Sequence, residues 1–406
     1  MRSASTKSLP DRDAELFAVY AQLDGARSRL AAADERLLAT QIALSEIPSP
    51  TGAESARGRA IAGRFGAMNL ADVRTDDVGN VIGVRPGTSG ESPVVVCAHL
   101  DTIFPEGTPV GVERHGAQLC GPGIVDNSRG LAAMLALAEA IDGRRLRTWR
   151  PIVFAATVGE EGAGDLRGVK HLFAQLERPF ACIAIDGAGD DRIVTRALGA
   201  RRLRVTFRGA GGHSWSSFGT ANPVHAAGAT AAKLAALPLP RTPRTTLSVC
   251  RIGGGISVNT IPDEAWLEID LRSSATETLS RCEADIRLAI QAALREENAR
   301  RTSGTTPLEF SVETIGDRPC GEVDPDHVVV RAAMQATLAI GRTPGLATAS
   351  TDANVPINLG VPAIAIGAGG RGGGVHTSGE WYDNTDGPLG VARALTTLVG
   401  TAGMVR

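Results

Sequence analysis

His99 and Asp101 stand two residues apart at the end of the apolar run Val94-Val95-Val96-Cys97-Ala98. The run follows Pro93 and reads as a buried strand. Side chains two apart on an extended chain point the same way, so an imidazole and a carboxylate face one spot. A metal-ligating histidine uses such a carboxylate to fix its ring; a salt-bridged loop uses the same pair. The motif has company. A second buried strand, Pro151 to Val158, delivers Gly159-Glu160-Glu161-Gly162, and a third, Cys182 to Ile185, ends in Asp186-Gly187. Gly121-Pro122-Gly123 leads to Asp126, and a strand over Pro362 to Gly367 precedes Val375-His376-Thr377. Adjacent carboxylates at a strand end repel each other and cost stability unless a cation compensates.

Collected, His99, Asp126, Glu161, Asp186 and His376 form a mixed nitrogen and oxygen donor set suited to Zn²⁺, Mn²⁺ or Co²⁺. Five ligands exceed the need of one catalytic zinc. A bridging carboxylate, with one imidazole and one further carboxylate per ion, fits two divalent ions about 3.5–4 Å apart. Such a pair acidifies a bridging water and polarises a substrate carbonyl. Strand geometry predicts that Glu160 points away from its neighbour Glu161, free to take a proton from that water and return it to a leaving amine.

The elements that must position these groups follow from pattern. Helical spacing runs from residue 11 to 45 and ends at Ile47-Pro48-Ser49-Pro50. A helix over Glu54 to Met68 and a strand near Asn80 to Val84 lead to the His99 strand. An irregular Gly/Pro-rich stretch follows Asp101, and Leu131 to Ile141 has the Ala/Leu pattern of a buried helix. Asp126 alone also fits an N-cap for that helix. The glycines at 369–374 lack the Gly-Lys-Ser/Thr ending and immediate helix of a phosphate loop. Ligands in open α/β sheets bind at the C-terminal strand ends, where these groups collect.

Between the third and fourth of these strands lies a segment with its own order. Strands are predicted at Arg202 to Arg208, Thr246 to Ile252, Glu264 to Leu271 and Leu308 to Glu313, with helices over Pro223 to Leu237 and Glu277 to Glu297. That is a ferredoxin-like βαββαβ arrangement inserted into a larger α/β domain. The expected division is 1–197 and 316–406 for the main domain and 198–315 for the insertion.

The 406 residues allow two domains. A net charge of −2 gives no footprint for nucleic acid or an acidic membrane, and the Arg201-Arg202-Leu203-Arg204 cluster lacks interleaved aromatics. No apolar run spans a bilayer, and Met1 to Pro10 is too polar for a signal peptide, so the expectation is a cytoplasmic protein. The six cysteines form no Cys-x-x-Cys and read as free, mostly buried thiols.

The stretches Ala98-His99-Leu100-Asp101, Gly121-Pro122-Gly123 with Asp126, Gly159-Glu160-Glu161-Gly162, Ile185-Asp186-Gly187 and Val375-His376-Thr377-Ser378-Gly379-Glu380 resemble the M20 metallopeptidases. That is the di-zinc group of peptidase T, carboxypeptidase G2, aminoacylases and desuccinylases, and the resemblance covers nearly the whole chain. It implies a zinc-peptidase-like catalytic domain with an inserted lid and dimerisation domain, and hence a homodimer. It implies His99, Asp186, Glu161 and His376 as terminal metal ligands, Asp126 as the bridge, Asp101 as orienter and Glu160 as general base and acid. In the insertion, Gly211-Gly212-His213-Ser214 resembles the family motif whose His reaches across the dimer to the substrate carbonyl. Asn259 and Arg272 resemble its substrate-binding pair, although a surface Arg at a strand end looks the same. Arg371 is a second candidate for gripping a carboxylate.

Gly211-Gly212-His213-Ser214-Trp215 and Ile185-Asp186-Gly187 look closest to the peptidase T-like branch, which implies di- or tripeptide substrates. An N-acyl-amino-acid deacylase or carboxypeptidase is the alternative within the same chemistry. A binding protein without activity would leave a gap among the seven inner positions, and none is missing. His115, His171, His225 and His327 read as ordinary loop or helix residues.

Overall fold

The computed structural model describes residues 9–142 and 145–405. Most of the polar start of the chain, read above as no signal peptide, therefore lies outside the described residues. The chain divides into two compact units, Met1–Ala197 with Glu322–Arg406, and Leu198–Gly321. The predicted return at residue 316 falls inside the strand Glu309–Arg318, which belongs wholly to the second unit.

The first unit is built on a mostly parallel sheet. Its order runs Ala71–Thr75, Val81–Arg85, Ile152–Thr157, Val94–His99, Ala181–Ile185, Ala363–Ile366 and Arg192–Ala197, with Gly345–Ala349 beside the last. The central strands Val94–His99, Ile152–Thr157, Ala181–Ile185 and Ala363–Ile366 are buried at every position, because helices cover both faces. They are parallel, so His99 and the loops after Thr157 and Ile185 emerge at one edge. The predicted single helical run before Ile47 is three helices, Leu9–Gln22, Asp24–Ala32 and Asp34–Ser45, each of the last two starting on an aspartate. The stretch after Asp101 is less irregular than expected. Glu113–His115 and Gln118–Cys120 join Trp381–Asp383 and Arg371–Gly373 in a small antiparallel sheet.

The second unit has the predicted βαββαβ order. Strands Gly199–Arg208, Thr246–Gly254, Glu264–Ser273 and Glu309–Arg318 form one antiparallel sheet, and helices Pro223–Ala235 and Thr276–Arg300 pack on it. Ala265, Leu267, Ile269 and Leu271 alternate inward while Trp266, Glu268 and Asp270 stay only partly buried. The basic cluster is neutralised by neighbouring acids: Arg204 meets Glu268 at 2.7 Å, and Arg201 meets Glu283 at 2.6 Å and Asp317 at 2.7 Å. All six cysteines are free, and only Cys250 is exposed. No helix among the described residues is long and apolar enough to cross a membrane.

Candidate metal centre

His99 is buried at the end of its strand. Its Nδ1–H donates to the carbonyl oxygen of Asp101 at 3.0 Å, with the Asp101 carboxylate 3.5 Å away. That fixes the ring so that Nε2 faces inward, 2.9 Å from Asp126 Oδ1 and 3.9 Å from Asp186 Oδ1. The other oxygen of Asp126 lies 3.1 Å from His376 Nε2, which also meets Glu161 Oε1 at 2.8 Å. One carboxylate thus spans two imidazoles. Two groups that could hold a metal ion share it: His99, Asp126 and Asp186, and Asp126, Glu161 and His376.

Asp126 comes from a loop rather than from the sheet. The residue that caps the following helix is Asn127, whose side-chain oxygen accepts from the Gly130 N–H at 3.1 Å. The cap position is therefore filled by its neighbour, and the Asp126 carboxylate is left for the two histidines. Asn127 also accepts from the Gly187 N–H at 3.1 Å and donates to the Ile185 carbonyl at 2.9 Å, tying this loop to the one bearing Asp186.

Glu160 and Glu161 do not diverge as strand geometry predicts. The strand ends at Thr157, and Gly159 turns the chain at φ +64°, where a side chain would run into Arg167. Glu160, Glu161 and His99 each bring a ligand atom within 4.8 Å of the others. Asp101 holds the turn: its Oδ1 accepts from the Glu160 N–H and its Oδ2 from the Glu161 N–H, both at 2.9 Å, and Thr51 donates a third bond at 2.8 Å. Glu54 accepts from the Gly159 N–H at 3.1 Å. Asp101 thus orients His99 and the acid pair together.

The electrostatics fit a cation. Burial, and then the charge of Asp126, push Asp186 up to about 7. Burial and Asp126 also raise Glu161. Burial alone would raise Asp126, but hydrogen bonds from His376 and His99 hold it well below the usual carboxylate range. The bond to Asp126 is the largest influence raising His376, which reaches about 9. Carboxylates crowded this closely without bound metal are held apart by imidazolium protons, a place that divalent ions of the same charge sense would take.

Arg371 is among the residues lining a cavity of about 820 Å³ that also borders Asp126 and Asp186. His213 and Asn259 lie side by side in the second unit. His213 pairs with Thr260 across a short ladder, and the Ser214 N–H donates to the Asn259 carbonyl at 2.9 Å. The Trp215 N–H donates to His213 Nδ1 at 3.2 Å, which leaves the proton of the neutral ring on the exposed Nε2. Arg272 is not brought to them. It sits opposite Ala200 while Glu264, close after Asn259, sits opposite Arg208. At about 3.3 Å per residue that separation is roughly 26 Å. Arg272 Nε is engaged by Asp270 at 2.7 Å.

Sequence patterns gave no role to Asn127, Glu54 or Glu380. Glu380 ends the stretch Val375-His376-Thr377-Ser378-Gly379-Glu380, but its partners lie more than 250 residues earlier in the chain.

The profile of peptidase family M20/M25/M40 matches residues 95–399. Over 247 residues the chain is 27% identical to a succinyl-diaminopimelate desuccinylase from Corynebacterium glutamicum, covering 58% of this chain and 66% of that protein. A desuccinylase from Pseudomonas syringae is 27% identical over 52% of this chain and 60% of its own length. The chain thus spans less than two thirds of these curated relatives. Among solved structures, an aminopeptidase PepT from Bacillus cereus superposes with a TM-score of 0.69 at 23% identity, over 91% of this chain and 97% of that one. The di-peptidase Dug1p from Saccharomyces cerevisiae superposes with a TM-score of 0.73 at 13% identity, over 94% and 98%. At these identities the likeness speaks for the fold.

Proposed function

Because the chain belongs to peptidase family M20/M25/M40, we propose that it is a metal-dependent amidohydrolase that cleaves small peptides, as a di- or tripeptidase does. The observation that carries the reading is the shared carboxylate: Asp126 faces His99 with one oxygen and His376 with the other. His99, Asp126 and Asp186 would hold one divalent ion and Asp126, Glu161 and His376 a second, with Zn²⁺ the first choice and Co²⁺ or Mn²⁺ the alternatives. Bound there, the ions supply Lewis acidity to a carbonyl and acidify water. Glu160 takes a proton from the attacking water and hands it to the leaving amine nitrogen. Asp101 keeps Glu160 in place through its backbone amide. Arg371, facing the same cavity, grips a substrate carboxylate with two parallel bonds.

His213 serves as the donor to the developing oxyanion, with its Nε2–H available as described. Even three extended residues span only about 10 Å. A small peptide therefore cannot reach both His213 and Arg272 of a single chain, and for both to touch it they must come from two copies. This supports a homodimer in which each inserted unit completes the partner's site. His213→Ala is expected to keep metal and dimer yet lose most turnover. Mixed with Glu160→Ala under subunit exchange, it should recover roughly a quarter of wild-type activity, since half the dimers then carry one whole site. Proven exchange without recovery would place His213 outside the partner's chemistry.

The test of the reading is a hydrolysis screen of di- and tripeptides against N-acyl amino acids, with Zn²⁺, Co²⁺ and Mn²⁺ each supplied. Peptide cleavage is expected. The desuccinylase relatives favour one alternative, an N-acyl-amino-acid deacylase, and turnover confined to acyl substrates would establish it instead.

A further inference from the structure

Glu380 is fully buried, and no catalytic step above uses it. It lies four residues past His376 on the same turn, which is compact: the Thr377 N–H donates to the Gly374 carbonyl and the Glu380 N–H to the Thr377 carbonyl. A side chain at Gly374, where φ is +64°, would strike the Gly379 carbonyl oxygen at 2.7 Å, and His376 itself has φ +68°. The Glu380 carboxylate leaves this turn and accepts three backbone bonds from the other ligand loop. Oε1 accepts from the Val125 N–H at 2.7 Å and the Asp126 N–H at 2.9 Å, and Oε2 from the Gly123 N–H at 3.1 Å. Its own carbonyl accepts from the Gly121 N–H at 2.9 Å.

We infer that Glu380 is a positioning residue that sets the His376-side metal site before any ion arrives, by locking the Asp126 loop to the His376 turn. Two of that site's three ligands, Asp126 and His376, are joined through this one side chain. The His99-side site shares only Asp126 with it, and its other ligands are aimed by Asp101 and Asn127. The carboxylate form is what the geometry requires, since both oxygens accept. A glutamine keeps two acceptor bonds and turns an NH₂ group against the Gly123 N–H. Groups that orient ligands in this way govern metal affinity by roughly 10- to 100-fold.

The inference rests on the two-ion reading above, and Zn²⁺ titration by calorimetry separates the two. Wild-type protein is expected to take up two Zn²⁺; fewer than two would defeat that reading whatever Glu380 does. In Glu380→Gln one of the two affinities should fall by roughly 10- to 100-fold. In a His376→Ala background, where the His376-side ion is already lost, Glu380→Gln should cost the remaining ion clearly less, because Asp126 is the one of its three ligands whose loop Glu380 holds. An equal loss in both backgrounds, or unchanged binding of both ions, overturns the inference. A measurement on the wild-type chain covers the case in which the variants do not fold. Amide hydrogen exchange at Gly123, Val125 and Asp126 should already be slow in metal-free protein. Fast exchange that slows only after Zn²⁺ is added would mean that the ion organises the loop and Glu380 does not.

Discussion

Glu160→Gln is expected to retain its metal and its substrate affinity while kcat falls by roughly 10²–10⁴-fold, since proton transfer alone is removed. Glutamine matches glutamate in shape but cannot take the proton. The substitution should leave the turn intact, because the backbone amides of residues 160 and 161 are held by Asp101 and not by the side chain that changes. Glu161→Gln should behave differently: its carboxylate is 2.8 Å from His376 Nε2, and with His376 and Asp126 it forms one of the groups that could hold a metal ion. Metal content and kcat measured together for both variants decide the matter. If Glu160→Gln sheds metal while Glu161→Gln keeps it, the two roles are exchanged.

Chelation is expected to abolish activity, and His99→Ala and His376→Ala are each expected to lose bound metal along with it. Each imidazole is the only neutral ligand of its group, and each group offers three side chains, so one loss removes a third of the protein's hold on that ion. Full activity with metal stripped below detection would sink the proposal. Affinity should also rise with pH. Without metal, Asp186 titrates at about 7 and His376 at about 9, so near neutrality an incoming ion must displace protons from both. The sign for stability is the reverse of a usual carboxylate. Asp186, raised from 3.8, makes the metal-free fold less stable as pH climbs from 3.8 to about 7. Asp101, lowered to about 2 because His99 and its amide and hydroxyl donors outweigh burial, contributes stability above 3.8 that is lost as pH falls toward 2. Metal titrations at pH 6, 7.5 and 9 and thermal melts of the chelated protein check both directions.

The sheet that positions the cluster was legible because its central strands are buried on both faces and so appear as unbroken apolar runs. The inserted unit was legible for the opposite reason: its sheet has one partly solvated face, and Glu264–Ser273 alternates accordingly. The His and acid residues stood out because they terminate those runs. What escaped was long-range or short. Strands of three residues such as Gln118–Cys120 carry too little pattern to be seen. The direction of Glu160 depended on where the strand stopped and on a left-handed glycine. Asn127 rather than Asp126 caps its helix, a choice between neighbours that local preference does not make. Arg272 and Asn259, read as a pair, are held apart by the strand Glu264–Ser273: Asn259 sits in the turn before it and Arg272 near its far end, a separation that appears only once the strand is placed.

The insertion leaves and rejoins the first unit through adjacent backbone. In the second unit Ala200 stands opposite Arg318 on neighbouring antiparallel strands, and in the first the Val323 N–H donates to the Thr195 carbonyl at 3.0 Å. For the first unit, a stretch of roughly 120 residues therefore acts, once folded, as a tight hairpin turn. Closing an unfolded loop of that length instead of a four-residue turn costs about 3 kcal/mol more in chain entropy. A collapsed insertion thus prepays much of the search that brings Glu322–Arg406, and His376 with it, back to the strands carrying His99 and Asp186. Order of folding is thereby coupled to assembly of the metal cluster: a chain whose insertion folds late must find its last ligand across a long flexible loop.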